Sequence, residues 1–518
     1  MRIILSFLGI LLLHNVLAHR ILGIFPLAAK SHDALFQSIV EALAERGHEM
    51  TIIRSLPTSS KPSQSYQEFL LRDMEPLVAS FNLENSFAPN IWNVYRDFSG
   101  LIEMSERLCR SLLKSEALSN VLTIHEENPF DLVLIELFAT DCPLGIASEM
   151  NLTTIGISPC ALMPWHYTRF NLMDFPSFIP TENSPFATQM TFWERIVNFL
   201  TGKVMKILFR KIQEQDTALL KEHFGSHVRD VEVLGHEISL ALVNQHFSVS
   251  GVKPLNPRVI EIGGAHIKWT NESLSEDFEA FFTSSPASGI IYINWGSVIR
   301  SSSLPESHLR ALRNALDRLP MNVIWKWEDD VPFPNKSTRI LVKSWLPQLQ
   351  ILCHPKTKVF LTHGGLLSAN EAAHCGKPVI VTPVFGDQHL NGAALVERGM
   401  GILLPLTDFT EETIYARLME ILKPQYQLRA NQLSHHFNHR LMNPLEIAVW
   451  SIEHILIEPS AAKFLQTLPV DFNYTKANNF QDFTPIILGI FTSVLAICIL
   501  FIFMAISHLA RKLKAKFV

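Results

Sequence analysis

The sequence predicts an α/β protein of two doubly wound, Rossmann-like domains followed by one C-terminal transmembrane helix. Two observations carry the prediction. Short apolar, β-rich runs alternate with helix-forming segments in both halves of the 518-residue chain, which is the pattern of β-α-β units on a parallel sheet. Near the C-terminus, Pro485 to Ser507 is an uncharged apolar run of 23 residues, long enough to span a bilayer with some tilt.

The chain order begins with a secretory signal peptide at residues 1–18. Arg2 precedes an apolar run from Ile3 to Leu13, and the small residues Val16 and Ala18 stand before the expected cut. An N-terminal domain then covers residues 19–265. Its first unit is a strand at Ile21 to Phe25, a helix at Asp33 to Arg46 stopped by Gly47, and a strand at Met50 to Ile53. A second unit runs from the strand Asp131 to Ile135, through a helix at Leu144 to Met150, to a strand at Thr154 to Ile157. From Ser158 to about Gln213 the texture changes to aromatic residues broken by prolines, the composition of a segment that walls an apolar pocket. The last part, Thr191 to Ile212, mixes Lys203, Lys206, Arg210 and Lys211 with apolar residues. It fits a helix on a membrane surface and equally a core helix with a solvated basic face.

A linker rich in Pro, Gly and Ser falls between about Gly251 and Ser285, and the C-terminal domain is expected over residues 285–443. It opens with a strand at Gly289 to Asn294 that ends in Gly296-Ser297, where a hydroxyl and backbone N–H groups can meet a phosphate. Strands at Val359 to Leu361 and Pro378 to Thr382 flank a helical segment opened by Gly364-Gly365. A Gly pair at a strand end lets the backbone approach a diphosphate, with the helix directing its free N–H groups and positive end toward it. An amphipathic helix follows within residues 444–460, at Leu445 to Ile455.

Composition narrows the field. Hydrophobic residues make up 47% of the chain, and 44 basic residues against 49 acidic ones give no support for nucleic-acid binding. Arg511, Lys512, Lys514 and Lys516 follow the apolar run, so residues 508–518 read as a cytosolic tail and the bulk of the chain as lumenal or extracellular. Sequons stand at Asn151, Asn271, Asn335 and Asn473. The six cysteines are scattered, which argues against a disulfide framework.

Seven residues in the C-terminal domain, Trp345, Gln348, His363, Ser368, Glu371, Asp387 and Gln388, match in type and interval the donor signature of the family 1 UDP-glycosyltransferases. The chain resembles that family, and the resemblance implies the two-lobed GT-B fold. It implies that Trp345 stacks on uracil and Gln348 contacts the nucleoside. His363, Ser368, Ser297 and the helix N-terminus after Gly364 and Gly365 meet the diphosphate, Glu371 the ribose, and Asp387 with Gln388 the donor sugar. Each role suits its residue, since a planar ring fits a base face and carboxylate or amide groups read hydroxyls. Leu367 departs from the pattern, standing where plant members carry Asn. By the same resemblance the helix at Leu445 to Ile455 crosses back onto the N-terminal domain.

Transfer from a UDP-sugar needs a base for the acceptor hydroxyl. His32, just beyond the first strand, is the candidate, although Ser31-His32 before a helix also reads as ordinary capping. Two carboxylates compete to orient it, Glu136 at the strand end and Asp141 five residues on. Asp141 is slightly favoured as the shorter side chain, against its use as the N-cap of the next helix. Direct attack implies inversion of configuration.

No Asp-x-Asp motif occurs, so no metal or other cofactor is expected beyond the UDP-sugar co-substrate. The resemblance implies an enzyme of the endoplasmic reticulum membrane, type I, that moves a hexose to hydroxyls of small lipophilic acceptors. A Glu-Leu-Phe…Asp-Cys stretch like that of insect members favours glucose over glucuronate as the sugar. A transferase acting on a ceramide-like lipid and a catalytically silent carrier of hydrophobic ligands are the alternatives. The sequence leaves a homo-oligomer open.

Overall fold

The computed structural model describes residues 18–58, 65–74, 77, 81–82, 91–268, 274–328, 330–334, 337–458, 460–461, 465 and 480–516, the side chains of 81–82, 91–94, 480–488 and 508–516 excepted. The expected signal peptide lies outside them apart from Ala18, as do the sequons at Asn271, Asn335 and Asn473.

Residues up to Gln466 form one compact unit with two lobes. The N-terminal lobe carries a seven-stranded sheet in the order β3-β2-β1-β5-β6-β7-β8. The strands are β1 (Arg20–Phe25), β2 (Glu49–Arg54), β3 (Tyr66–Leu70), β5 (Leu132–Glu136), β6 (Thr153–Ser158), β7 (Leu240–Val243) and β8 (Val259–Glu261), and every pairing is parallel. The C-terminal lobe carries six parallel strands in the order β12-β11-β9-β13-β14-β15. These are β9 (Ile290–Asn294), β11 (Asn322–Lys326), β12 (Ile340–Lys343), β13 (Thr357–Thr362), β14 (Val379–Val381) and β15 (Gly401–Leu403). The inner strands are unbroken apolar runs such as Leu132-Val133-Leu134-Ile135 because helices cover both faces of such sheets. A two-stranded ladder between β4 (Phe81–Asn82) and β10 (Ile299–Arg300) joins a loop of each lobe.

The helices that matter below are α1 (Lys30–Glu45), α2 (Ile91–Lys114), α3 (Cys142–Glu149), α4 (Phe192–Phe224), α5 (Gln348–Cys353), α6 (Leu366–His374), α7 (Gln388–Glu397), α8 (Pro424–Asn438) and α9 (Pro444–Ile457). Helix α9 sinks Ala448, Val449, Ile452 and Ile455 among the α1 and β1 residues of the N-terminal core, with Arg46 bridging Glu446 and Glu453.

Two expectations are corrected. The C-terminal lobe begins before residue 285, because the helix Glu276–Ser284 packs Phe278 and Phe282 into that lobe's core. The cysteines do pair, Cys109 of α2 with Cys142 of α3 and Cys353 of α5 with Cys375 after α6. Sequence separations of 33 and 22 residues hide partners that the helices bring to Cα distances of 5.6 and 4.7 Å. The helix expected over Thr191 to Ile212 is present as α4, which opens on a capping box at Thr191 and Glu194 and runs for 33 residues, beyond the expected end.

A second unit spans residues 467–518. Its helix α10 (Phe480–Lys516) holds the run Gly489–Ser507, which is long and apolar enough to cross a membrane.

Candidate active site

Parallel strands put all their carboxyl ends on one edge of a sheet, where open α/β sheets bind ligands. Here residues following β1, β5 and β6 of one lobe, and β9, β12, β13 and β14 of the other, line a single cavity of about 750 Å³.

On the C-terminal wall, His363 leaves the end of β13 and packs between two glycines. A Cβ at Gly296 or at Gly365 would stand 2.7 or 2.4 Å from its ring, so no larger residue fits either place. Between them Gly364 turns the chain at φ +88°, and its carbonyl accepts from Asn391 Nδ2 at 2.9 Å. Burial and the nearby Lys326 ammonium push the His363 pKa down to about 3, so the ring is neutral and offers one N–H. Gly365 is the N-cap of α6, whose first turn carries Ser368.

Gln348, the first residue of α5, is the knot of the site. Its Oε1 accepts from Asn294 Nδ2 (2.7 Å) and Tyr292 OH (3.1 Å), and its Nε2 donates to Glu371 Oε2 (2.6 Å) and Ser368 Oγ (3.0 Å). Gln348 lines the cavity, yet its amide is engaged at both ends and holds Glu371 and Ser368 in place. The disulfide from Cys353 to Cys375 ties together the ends of these two helices. Trp345 stands 59% exposed with the Lys30 ammonium of α1 4.3 Å from its ring centroid.

Asp387, N-cap of α7, accepts from Asn391 Nδ2 at 2.9 Å. Burial raises its pKa, while the Asn391 hydrogen bond and the His32 ring act the other way. Gln388 Oε1 accepts from the Val384 and Phe385 N–H groups at 2.9 and 3.2 Å, which pins the loop before α7. Ser297 lines the cavity after β9.

On the N-terminal wall, α1 begins at Lys30, three residues earlier than the sequence suggests, and Ala29 is its N-cap without a side-chain bond. His32 therefore lies in the first helical turn, and Ser31 caps nothing. Its Nδ1 is 2.7 Å from Glu136 Oε1, with Glu136 at the very end of β5 and 4% exposed. The edge of the ring meets Phe138, centroids 4.9 Å apart.

Asp141 is not the partner of His32. It is buried in an ion pair with Arg169, accepts from Gln213 Nε2 at 2.9 Å, and makes no side-chain cap for α3. The physical reason is that Glu136, the last residue of β5, lies directly behind His32, whereas the turn that follows carries Asp141 away into the core.

Sequence reasoning missed several lining residues. Lys326, at the carboxyl end of β11 and buried, is 3.5 Å from Glu328, and burial lowers its pKa. Its position at a strand end was the available signal. The apolar wall comes chiefly from Phe98, Leu101 and Met104 of α2, with Phe138, Met163 and Met205. Of the aromatic residues in the 158–213 segment only Trp165 lines the cavity, stacked on Phe209 at 3.9 Å.

Two facing Rossmann-like lobes with a polar pocket on one and an apolar pocket on the other define a GT-B glycosyltransferase. Comparison with known proteins agrees. The family described as UDP-glucoronosyl and UDP-glucosyl transferase matches residues 21–515, and the chain belongs to that family. It is an enzyme that transfers a sugar from a UDP-sugar. It is 32% identical over 466 residues to UDP-glycosyltransferase UGT5 of Dactylopius coccus, covering 88% of this chain and 86% of the relative. Against UDP-glucuronosyltransferase 1A6 of Homo sapiens the identity is 29% over 447 residues, covering 82% and 81%. The solved structure of Phytolacca americana UGT2, complexed with UDP-2fluoro-glucose and pterostilbene, superposes with a TM-score of 0.57 at 15% identity over 85% of this chain and all of that one, a likeness of fold.

Proposed function

We propose that the enzyme transfers a hexose, glucose in preference to glucuronate, from its UDP-sugar to a hydroxyl of a small lipophilic acceptor with inversion. The carrying observation is His32 on the cavity wall with Glu136 2.7 Å behind its Nδ1. Nδ1–H donates to Glu136, which leaves Nε2 to take the acceptor proton. As the O–H bond breaks, the acceptor oxygen bonds to the anomeric carbon and the carbon–oxygen bond to UDP breaks. Glu136 stabilises the imidazolium. The departing diphosphate is held by the neutral His363, by Ser297 and Ser368, by the N-terminus of α6 and by the Lys326 ammonium, with no metal required. Trp345 takes the base, Glu371 the ribose, and Asp387 with Gln388 the hexose hydroxyls. Glucose is supported by the uncharged sugar of the UDP-2fluoro-glucose in the solved neighbour and lipophilic acceptors by the apolar wall of α2.

The enzyme is further proposed to sit in the reticulum membrane with both lobes lumenal. Support comes from two disulfides, which persist in oxidising compartments, from the basic residues that follow the apolar run, and from the exposed, glycosylatable Asn151. The first half of α4 is proposed to rest on the bilayer surface, since Phe192, Trp193, Phe199, Leu200 and Ile207 stand exposed on one stripe beside Lys203.

The test uses microsomes expressing the full chain with labelled UDP-glucose or UDP-glucuronate and a panel of phenols. Glycosides should form from UDP-glucose, and His32→Ala should abolish them while UDP binding persists. Full activity in that variant would remove His32 as the base.

A further inference from the structure

The two lobes are joined by a tight turn, residues 262–268, that neither lobe's sheet includes. Backbone bonds from Ala265 to Ile262 and from Ile267 to Gly264 fold it, and both lobes hold it. Arg440, next to α8, donates to the Gly263 carbonyl at 2.7 Å, and Lys268 pairs with Glu41 of α1. At its apex is His266, which lines the cavity. The side chain is 4% exposed, and both ring nitrogens are buried without a hydrogen-bond partner among the described residues. Its Nε2 faces Glu371 Oε1 at 3.6 Å, beyond hydrogen-bond range. The other Glu371 oxygen is already occupied by Gln348. An imidazole buried with both nitrogens unmet is costly, and here it stands on a fixed turn beside a carboxylate oxygen whose one close partner among the described residues is the same ring, out of hydrogen-bond reach.

We propose that His266 is a donor-binding residue, which with Glu371 forms a two-sided clamp for the vicinal hydroxyls of the ribose. A hydroxyl is at once donor and acceptor. It can give its proton to Glu371 Oε1 while accepting the Nε2–H of His266, which satisfies both groups with one ligand atom and lets its neighbour reach the same carboxylate. The turn thereby places a ligand contact on the segment that connects the lobes, so the bound nucleotide touches N-terminal wall, C-terminal wall and linker together. This inference rests on the ribose role proposed for Glu371.

Binding of UDP and of 2′,3′-dideoxy-UDP to the detergent-solubilised full chain, measured by calorimetry, separates the two claims. The parent chain should prefer UDP, and Glu371→Gln should lose that preference. His266→Ala should reduce it by about tenfold, the worth of a hydrogen bond to a buried polar group, with dideoxy-UDP affinity unchanged. His266→Gln, whose amide can still donate, should recover part of it and guards against misfolding of the alanine variant. In turnover, KM for the UDP-sugar should rise by the same factor with kcat within about twofold. If Glu371→Gln loses the preference while both His266 variants retain it in full, the histidine proposal is overturned and the Glu371 role stands. Equal affinity of the parent chain for the two nucleotides would overturn both.

Discussion

The C-terminal wall of the cleft is polar and comes from Lys326 at the end of β11 and from the segments that follow β9, β12, β13 and β14, with Ser368, Glu371 and the strand residues Tyr292 and Asn294 tied together through Gln348. The N-terminal wall is mainly apolar, gathers side chains from α2, α4 and the loops after β1, β5 and β6, and includes His32, backed by Glu136. The contrast fits the ligands proposed for each wall. A diphosphate and two sugars offer many charges and hydroxyls whose positions never vary, so a fixed polar lattice would suit them, and the lipophilic acceptor proposed above would offer area, which many combinations of apolar side chains can cover.

That contrast can be broken most sharply at the carboxylates beneath His32. Glu136→Gln should lower turnover by roughly 10²- to 10⁴-fold, because the imidazole loses the group that orients it and balances its charge. Asp141→Ala should leave turnover per folded molecule intact but strand Arg169 in the core, at a cost of about 3–5 kcal/mol in denaturant unfolding. Equal kinetic damage from both would show that the buried Arg169 pair reaches the reacting atoms.

Smaller effects separate the walls themselves. Trp345→Ala should weaken UDP binding roughly tenfold or more in calorimetry, the worth of one base stacked on an aromatic ring, with acceptor KM little changed. Phe98→Ala should do the reverse, raising acceptor KM by about tenfold through lost apolar contact while UDP binds as before. A variant on either wall that moved both constants would argue that the walls act as one.

A test that leaves the cleft untouched lies deeper in the N-terminal lobe, in the buried Asp216, which accepts from Thr140, from the Asp141 N–H and from Ser105. Burial raises its pKa from 3.8 to about 7, with those bonds opposing and the Asp141 charge adding to it. In that window the folded chain holds a proton that the unfolded chain has released, so stability falls as pH rises from about 4 to 7 and levels off above. Asp216→Asn should flatten this slope in melting curves taken across that range.

Legibility in the sequence followed the same division. The donor candidates other than Ser297 lie within 44 positions, Trp345 to Gln388, in the loops and first helical turns or so that follow strand ends, so local pattern was enough to collect them. Lys326 and His266 escaped because each stands outside that stretch. His32 was legible from its place after the first strand. Its partner was not, since Glu136 and Asp141 are five residues apart and only the direction of the turn after β5 separates cavity from core. The cysteines went unread for a related reason, as pairing depends on helix packing that spacing does not encode.

The sequence by itself determined the alternation of strands and helices, the two sheets, the residues that gather on the C-terminal wall of the cleft and the apolar run near the C-terminus, because periodicity, glycine at strand ends and hydrophobic length are local properties. Tertiary structure alone decided which carboxylate meets the histidine, which cysteines join, and which side chains wall the acceptor pocket. Those choices depend on where separate segments come to lie after packing, and no short stretch of chain contains that information.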